Sequence, residues 1–143
     1  MTLKQLIKEI SEIAINEKLV NFSAAGGSLD QLNPISIDWY PVLFQTPAGE
    51  HQVKENTTIY RIVLTFIDRL LEDSSNEIDI YSTSIEELKN IINWIKEIPE
   101  VVNVSDEYPI RNFTTTEKMN DRVCGSYAEI RVEVMNETLC PVE

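Results

Sequence analysis

The chain has 143 residues, enough for one ordinary domain to bury a core without disulfide or metal staples. Its 43% hydrophobic residues exclude a disordered body, and its net charge of −12, from 24 Asp and Glu against 12 Lys and Arg, excludes a conventional basic nucleic-acid reader. Leu3 to Lys18 mixes charge throughout and no apolar run approaches membrane-spanning length, so neither a signal peptide nor a membrane span is expected. With synthesis in a cytoplasm, the N-glycosylation patterns at Asn21, Asn56, Asn103, Asn112 and Asn136 carry no weight.

Thr2 and Gln5 form a capping box for an opening helix of about four turns, with Leu3, Leu6, Ile7, Ile10, Ile13 and Ala14 on one face. Its polar face, with Lys4, Lys8, Glu9 and Glu12, is mixed in charge instead of basic, which favours packing on its own domain over a membrane surface. Leu19 to Ala24 reads as a short strand ended by Gly26-Gly27, and Ser28 to Pro34 as loop. Ile35 to Thr46 reads as a second strand with Ile37, Trp39 and Leu43 on one face and Tyr40, Val42 and Phe44 on the other, so both faces are expected to be covered. Pro41 lacks an amide donor and belongs at an edge or bulge.

Pro47-Ala48-Gly49 is a turn, and the polar stretch Glu50 to Asn56 a protruding hairpin tip or flexible loop. Thr57 to Leu71 is the strongest strand signal, with Tyr60, Ile62, Leu64 and Phe66 pointing one way and Ile59, Arg61, Val63, Thr65 and Ile67 the other, which places it centrally in a sheet. The chain is organised around the next stretch, Ser74 to Pro99. Ile78, Tyr81, Ile85, Leu88, Ile92 and Ile95 recur at spacings of three and four, the stripe of a single helix that Trp94 and Ile91 widen. Ser74 and Glu77 supply a capping box and Pro99 the stop; the alternative is a strand over Glu77 to Tyr81 and a shorter helix from Ser84, capped by Thr83 and Glu86. Val101 to Ser105 is a short strand or extended link, and Tyr108 to Thr116 a longer strand. In Gly125 to Met135, Ala128, Ile130, Val132 and Val134 alternate with Tyr127, Glu129, Arg131 and Glu133. The expected fold is α+β, a mostly antiparallel sheet with two helices packed on one face, in a single domain over 1–135 with an extended tail over 136–143.

Convergent chemistry is sparse. The chain has one His, no glycine-rich phosphate loop and no nucleophile elbow. His51 reads as a solvated loop residue. Asp68, Glu72 and Asp73 could hold magnesium for a nuclease, but they fall where a strand runs into a turn and read as turn carboxylates. Cys124 and Cys140 have no zinc-site spacing and read as reduced thiols, and Cys124 lacks a His partner for nucleophilic work. The expectation is no catalytic residue, no metal and no cofactor.

The run Phe66 to Ile95 resembles a family of small tailed-phage proteins in which a strand ends in an aromatic or aliphatic residue and Asp (Phe66, Ile67, Asp68). An acidic-Asp-Ser-Asn link follows (Glu72, Asp73, Ser75, Asn76) and enters a long helix. Further on, Phe113 in a strand, Asp121-Arg122, Gly125 before an alternating strand and Cys140-Pro141 agree in order and separation. The family is that of neck or tail-completion ring proteins with the tail-terminator type of α+β fold, and the chain is most similar to those of crAss-like phages. It departs at Thr83-Ser84, where an acidic residue is usual, and in the insertion-like stretch Val101 to Pro109. The resemblance implies a virion structural protein, a homo-oligomeric ring between portal or adaptor rings and the tail, through which genome DNA passes without specific binding.

Within that role the ring-contact candidates are His51, Lys54, Glu55, Lys118, Asp121 and Arg122, with Glu129 and Glu133 as channel-lining candidates, since an acidic wall suppresses adhesion to phosphate. The alternative is an acidic regulator that mimics DNA on a host enzyme. The carboxylates, though, are scattered among Lys and Arg on helices with good apolar stripes, unlike phosphates along a groove.

Overall fold

A computed structural model describes residues 1–27, 40–71, 73–115 and 122–136. The expected loop from Ser28, the start of the second strand at Ile35 to Trp39, and most of the tail lie outside these residues. Helix α1, Leu3–Asn16, opens with the predicted capping box: Thr2 Oγ1 accepts from the Gln5 amide at 3.2 Å and Gln5 Oε1 from the Thr2 amide at 2.7 Å. The following strand β1, Phe22–Ala25, begins later than expected. The amides of Leu19 and Val20 both turn back to the Ala14 carbonyl, at 3.0 and 3.2 Å, and close the helix instead of entering a ladder.

Strands β2 (Val42–Pro47), β3 (Gln52–Val53) and β4 (Thr57–Arg69) come next, then helix α2 (Glu77–Ile95) and strands β5 (Val101–Val104), β6 (Ile110–Thr115) and β7 (Val123–Met135). The two 13-residue strands β4 and β7 pair antiparallel from Thr57↔Met135 to Arg69↔Val123. This ribbon is the spine of a seven-stranded sheet of order β1-β2-β4-β7-β5. β2 and β3 divide the other edge of β4 between them, and β5 and β6 that of β7. Only β1, parallel to β2, departs from the antiparallel pattern.

Alternation along each strand sorts the side chains between two faces. On one, Leu43, Ile62, Leu64, Phe66, Ile130, Val132 and Val134 meet Leu6 and Ile10 of α1 and Leu88, Ile91, Ile92 and Ile95 of α2, all fully or almost fully buried. The fold is thus α+β with helices packed on the sheet, as the periodicities predict. Gln45 fastens α1 to β2, donating through Nε2 to the Ile7 carbonyl at 3.0 Å and to Ser11 Oγ at 2.9 Å. On the opposite face Tyr40, Val42, Phe44, Ile67 and Val123 form a second buried cluster, so β2 is apolar on both sides as expected. Pro41 precedes β2 through a cis Tyr40-Pro41 bond. Among the described residues no helix is long and apolar enough to cross a membrane.

Two expectations about α2 are corrected. It is one helix, so the strand over Glu77 to Tyr81 does not form, but the Ser74-Glu77 capping box does not form either. Ser74 sits at φ 58 with its hydroxyl taken by Arg122 Nη2 at 3.0 Å, and Glu77 accepts from the Tyr81 hydroxyl at 2.7 Å. Asn76 is the N-cap residue, and its carboxamide ties the helix entry to the end of β4, accepting from the Leu71 amide (2.9 Å) and donating to the Arg69 carbonyl (3.1 Å). The buried stripe is rotated from the predicted one. Ile80, Ser84, Leu88, Ile91, Ile92 and Ile95 are buried, whereas Ile78 is 76% exposed and Tyr81 and Ile85 are half-buried. Ser84 causes the difference: its hydroxyl meets that of Ser126 on β7 at 2.7 Å, so a polar residue occupies the centre of the contact, where an apolar-only pattern had none.

Candidate functional site

The helix-free face of the β4–β7 ribbon carries the densest set of charged side chains. Arg61 stands directly opposite Arg131 in the register. Its guanidinium lies 2.7 Å from Glu129 Oε1 and 3.8 Å from Glu50 Oε2, while Lys54 Nζ lies 3.7 Å from Glu133, which also accepts from Thr57 Oγ1 at 2.7 Å. Lys54 and Arg61 thus pair with Glu133, Glu129 and Glu50, while Arg131 takes part in none of these pairs. Glu129 and Glu133 do not stand as bare negative charges, and a neutralised pair repels phosphate weakly.

A gap in the edge of β4 positions His51. β2 ends opposite Ile62 and β3 begins opposite Ile59, which leaves Arg61 without a ladder partner on that side. Its carbonyl takes the Ala48 amide at 2.8 Å, and its amide donates to His51 Nδ1 at 3.2 Å. That bond places the proton of a neutral imidazole on Nε2. The ring also packs edge-on against Tyr60, with centroids 5.4 Å apart. The polar stretch Glu50 to Asn56 is accordingly a hairpin containing β3, and its tip is tied down. Asn136 donates its amide to the Asn56 carbonyl at 2.9 Å and its carboxamide to the Lys54 carbonyl at 3.2 Å. Glu50, His51, Gln52, Ile59, Arg61 and Arg131 line a small pocket. Arg61 Nε is buried, with no hydrogen-bond partner among the described residues.

The structure thus brings His51, Lys54, Glu129 and Glu133 together, with Glu55 exposed at the hairpin tip. Arg122 lies beyond the opposite end of β7, its carbonyl taken by the Leu70 amide at 2.9 Å. Lys118 and Asp121 lie outside the described residues. Alternation puts Arg61 on the face of Ile59, Val63 and Ile67, and Arg131 on that of Tyr127, Glu129 and Glu133, but does not by itself mark either as a site residue. Alternation reveals a side chain's face, and only register reveals its neighbour across the ribbon.

A second group of ionisable residues gathers where β4, β7 and α2 converge. The Cys124 thiol is pushed up to about 11 by burial, reinforced by the Glu77 and Asp68 carboxylates. The Tyr81 hydroxyl is pushed up to about 12 by its bond to Glu77, then by burial. Burial also raises Asp68 above the usual carboxylate range, against the Arg69 amide at 2.8 Å that lowers it. A thiol so poised stays protonated at neutral pH, and it packs with Leu70 and Ile80. Asp73 instead caps the turn, accepting from the Ser75 amide at 3.0 Å, which lowers its pKa. Among the described residues no three His, Cys, Asp or Glu side chains are placed to hold a metal ion. No protein-family model matches the chain, and no curated protein matches it.

Proposed function

We propose that the chain is a structural subunit of a homo-oligomeric ring in the head-to-tail connector of a tailed phage, of the neck or tail-completion type, joining portal-side rings to the tail. The observation that supports it best is the part played by Phe66 to Ile95, the run through which the sequence resembles such proteins. Phe66 is buried in the core, Asp68 is the last residue but one of the central strand, and the carboxamide of Asn76 locks the link onto that strand at the entry to α2. These residues join sheet to helix, a structural part in keeping with the resemblance.

A ring subunit needs a rigid body with side surfaces that meet its neighbours, and the long ribbon under two helices suits that need. Repulsion of passing DNA falls to the overall charge of −12. Glu129 and Glu133, compensated by Arg61 and Lys54, contribute little to it. The test is the copy number of the chain in purified particles of its source virus, measured by quantitative mass spectrometry against the portal subunit. A ratio of about one or about one half supports the ring; absence from the particle refutes it.

A further inference from the structure

We infer that the exposed, arginine-bearing part of the helix-free face, around Arg61, Arg131 and Arg111 and away from the buried Ile67–Val123 cluster, is the docking surface for a second copy of this chain, which presents to it the outward stripe of α2. The inference rests on the ring reading and names the surfaces through which the ring closes.

The first observation is where the arginines lie. Arg61, Arg69, Arg111 and Arg131 all alternate onto the helix-free face, Arg111 through its pairing with Tyr127. Like charges directly opposite one another in a ladder destabilise it unless anions intervene. Glu129 and Glu50 answer Arg61. Exposed Arg131 and Arg111 have no carboxylate within ion-pair distance among the described residues, and the pocket between Arg61 and Arg131 is open beside the unpartnered Arg61 Nε. Among the described residues this face sets Arg61, Arg69, Arg111, Arg131 and Lys54 against Glu50, Glu129 and Glu133, in a protein that carries twice as many acidic as basic residues.

The second observation is the far side of α2. Asp79, Glu86, Asn90, Asn93 and Glu97 are exposed and recur at helical spacing on the side away from the buried stripe. Glu86 is paired with Lys89 at 2.9 Å, while Asp79 and Glu97 have no cationic partner among the described residues. Trp94, 42% exposed, stands beside Asn90, Asn93 and Glu97, an apolar anchor with a polar rim of the kind that carries binding energy.

The spacings agree. Arg111, opposite Tyr127, lies four residues along the ribbon from Arg131, about 13 Å. Asp79 and Glu86, seven residues apart on α2, are separated by about 10 Å along its axis, so both lie within the reach of the two guanidinium groups. The two surfaces lie on opposite sides of a two-layer body, so the contact is head-to-tail, the type that forms a ring when the rotation from copy to copy closes.

The test mixes ¹⁴N- and ¹⁵N-labelled chains carrying Arg131→Lys at high concentration and low salt, and couples amines to carboxylates with a zero-length carbodiimide. The expected products are mixed-isotope peptides joining position 131 to Asp79, Glu86 or Glu97. Mixed-isotope peptides that join only other surfaces, or none at all, overturn the inference, while the particle copy number decides the ring reading independently. In sedimentation velocity, Arg131→Glu weakens self-association about tenfold or more, and the double variant Arg131→Glu/Glu86→Lys restores it with an unchanged thermal midpoint. Failure of the swap with both variants folded also overturns the docking geometry.

Discussion

Gly125 offers the sharpest test of the spine. A Cβ built at this position would lie 1.8 Å from the Phe66 carbonyl oxygen and 2.9 Å from its carbon, both backbone atoms of the facing strand, so no side chain can swing aside. Ordinary contact begins near 3.4 Å, so Gly125→Ala must part β4 and β7 locally by 3.4 − 1.8 = 1.6 Å. An opening of that size stretches the flanking ladder bonds past hydrogen-bonding range and loosens the packing of Phe66 and Ile67. Two lost bonds at about 1 kcal/mol each plus overpacking of about 1–3 kcal/mol give a destabilisation of roughly 3–5 kcal/mol. For a domain of this size that lowers the thermal midpoint by about 10–15 °C. Circular dichroism melts and urea titrations of the variant and the parent measure it. Gly49→Ala is the control, because a Cβ there meets nothing within 4 Å, and its effect should stay within about 0.5 kcal/mol. A Gly125→Ala protein as stable as that control would refute the close approach of the two central strands.

The hydroxyls of buried Ser84 and Ser126 meet at 2.7 Å, and Ser126 also donates to Oδ1 of exposed Asn112 at 2.7 Å. Ser126→Ala should therefore cost about 1–3 kcal/mol, and a double-mutant cycle with Ser84→Ala should show coupling of about 0.5–2 kcal/mol in urea unfolding; additivity would place the two residues out of contact. Because burial raises the Asp68 pKa in the folded state, its charged form is the unfavourable one. The penalty is absent below the ordinary value of 3.8 and grows as pH rises through the folded pKa. Asp68→Asn should accordingly raise the thermal midpoint at pH 7 and lose that advantage below pH 3.8, and a variant whose advantage grew on acidification would contradict this sign. With its thiol buried and pushed up to about 11, Cys124 in a Cys140→Ser background should react with a thiol reagent at pH 7 only as fast as the protein opens. Rapid labelling under native conditions would show that β7 is not sealed against α2.

Much of this architecture is legible in single-chain patterns because those patterns are local. The Thr2-Gln5 capping box, the alternation of Ile62, Leu64 and Phe66 and the matching run of Ile130, Val132 and Val134 each depend on spacings of a few residues. The central place of β4 follows too, since a long strand with apolar residues on both faces requires partners on both edges. What depends on contact between distant segments was not legible. The α2 stripe was set by apolar type, whereas its true orientation depends on Ser84 finding Ser126, 42 residues away. The Ser74-Glu77 box had the right letters, but Arg122 and Tyr81 engage those side chains first. The acidic alternation of Glu129 and Glu133 is legible in the sequence, but their pairing with Lys54 and Arg61 is not. Periodicity assigned each residue to a face of its own element, and only tertiary pairing determined what stood across from it, because burial and charge compensation are properties of two segments together.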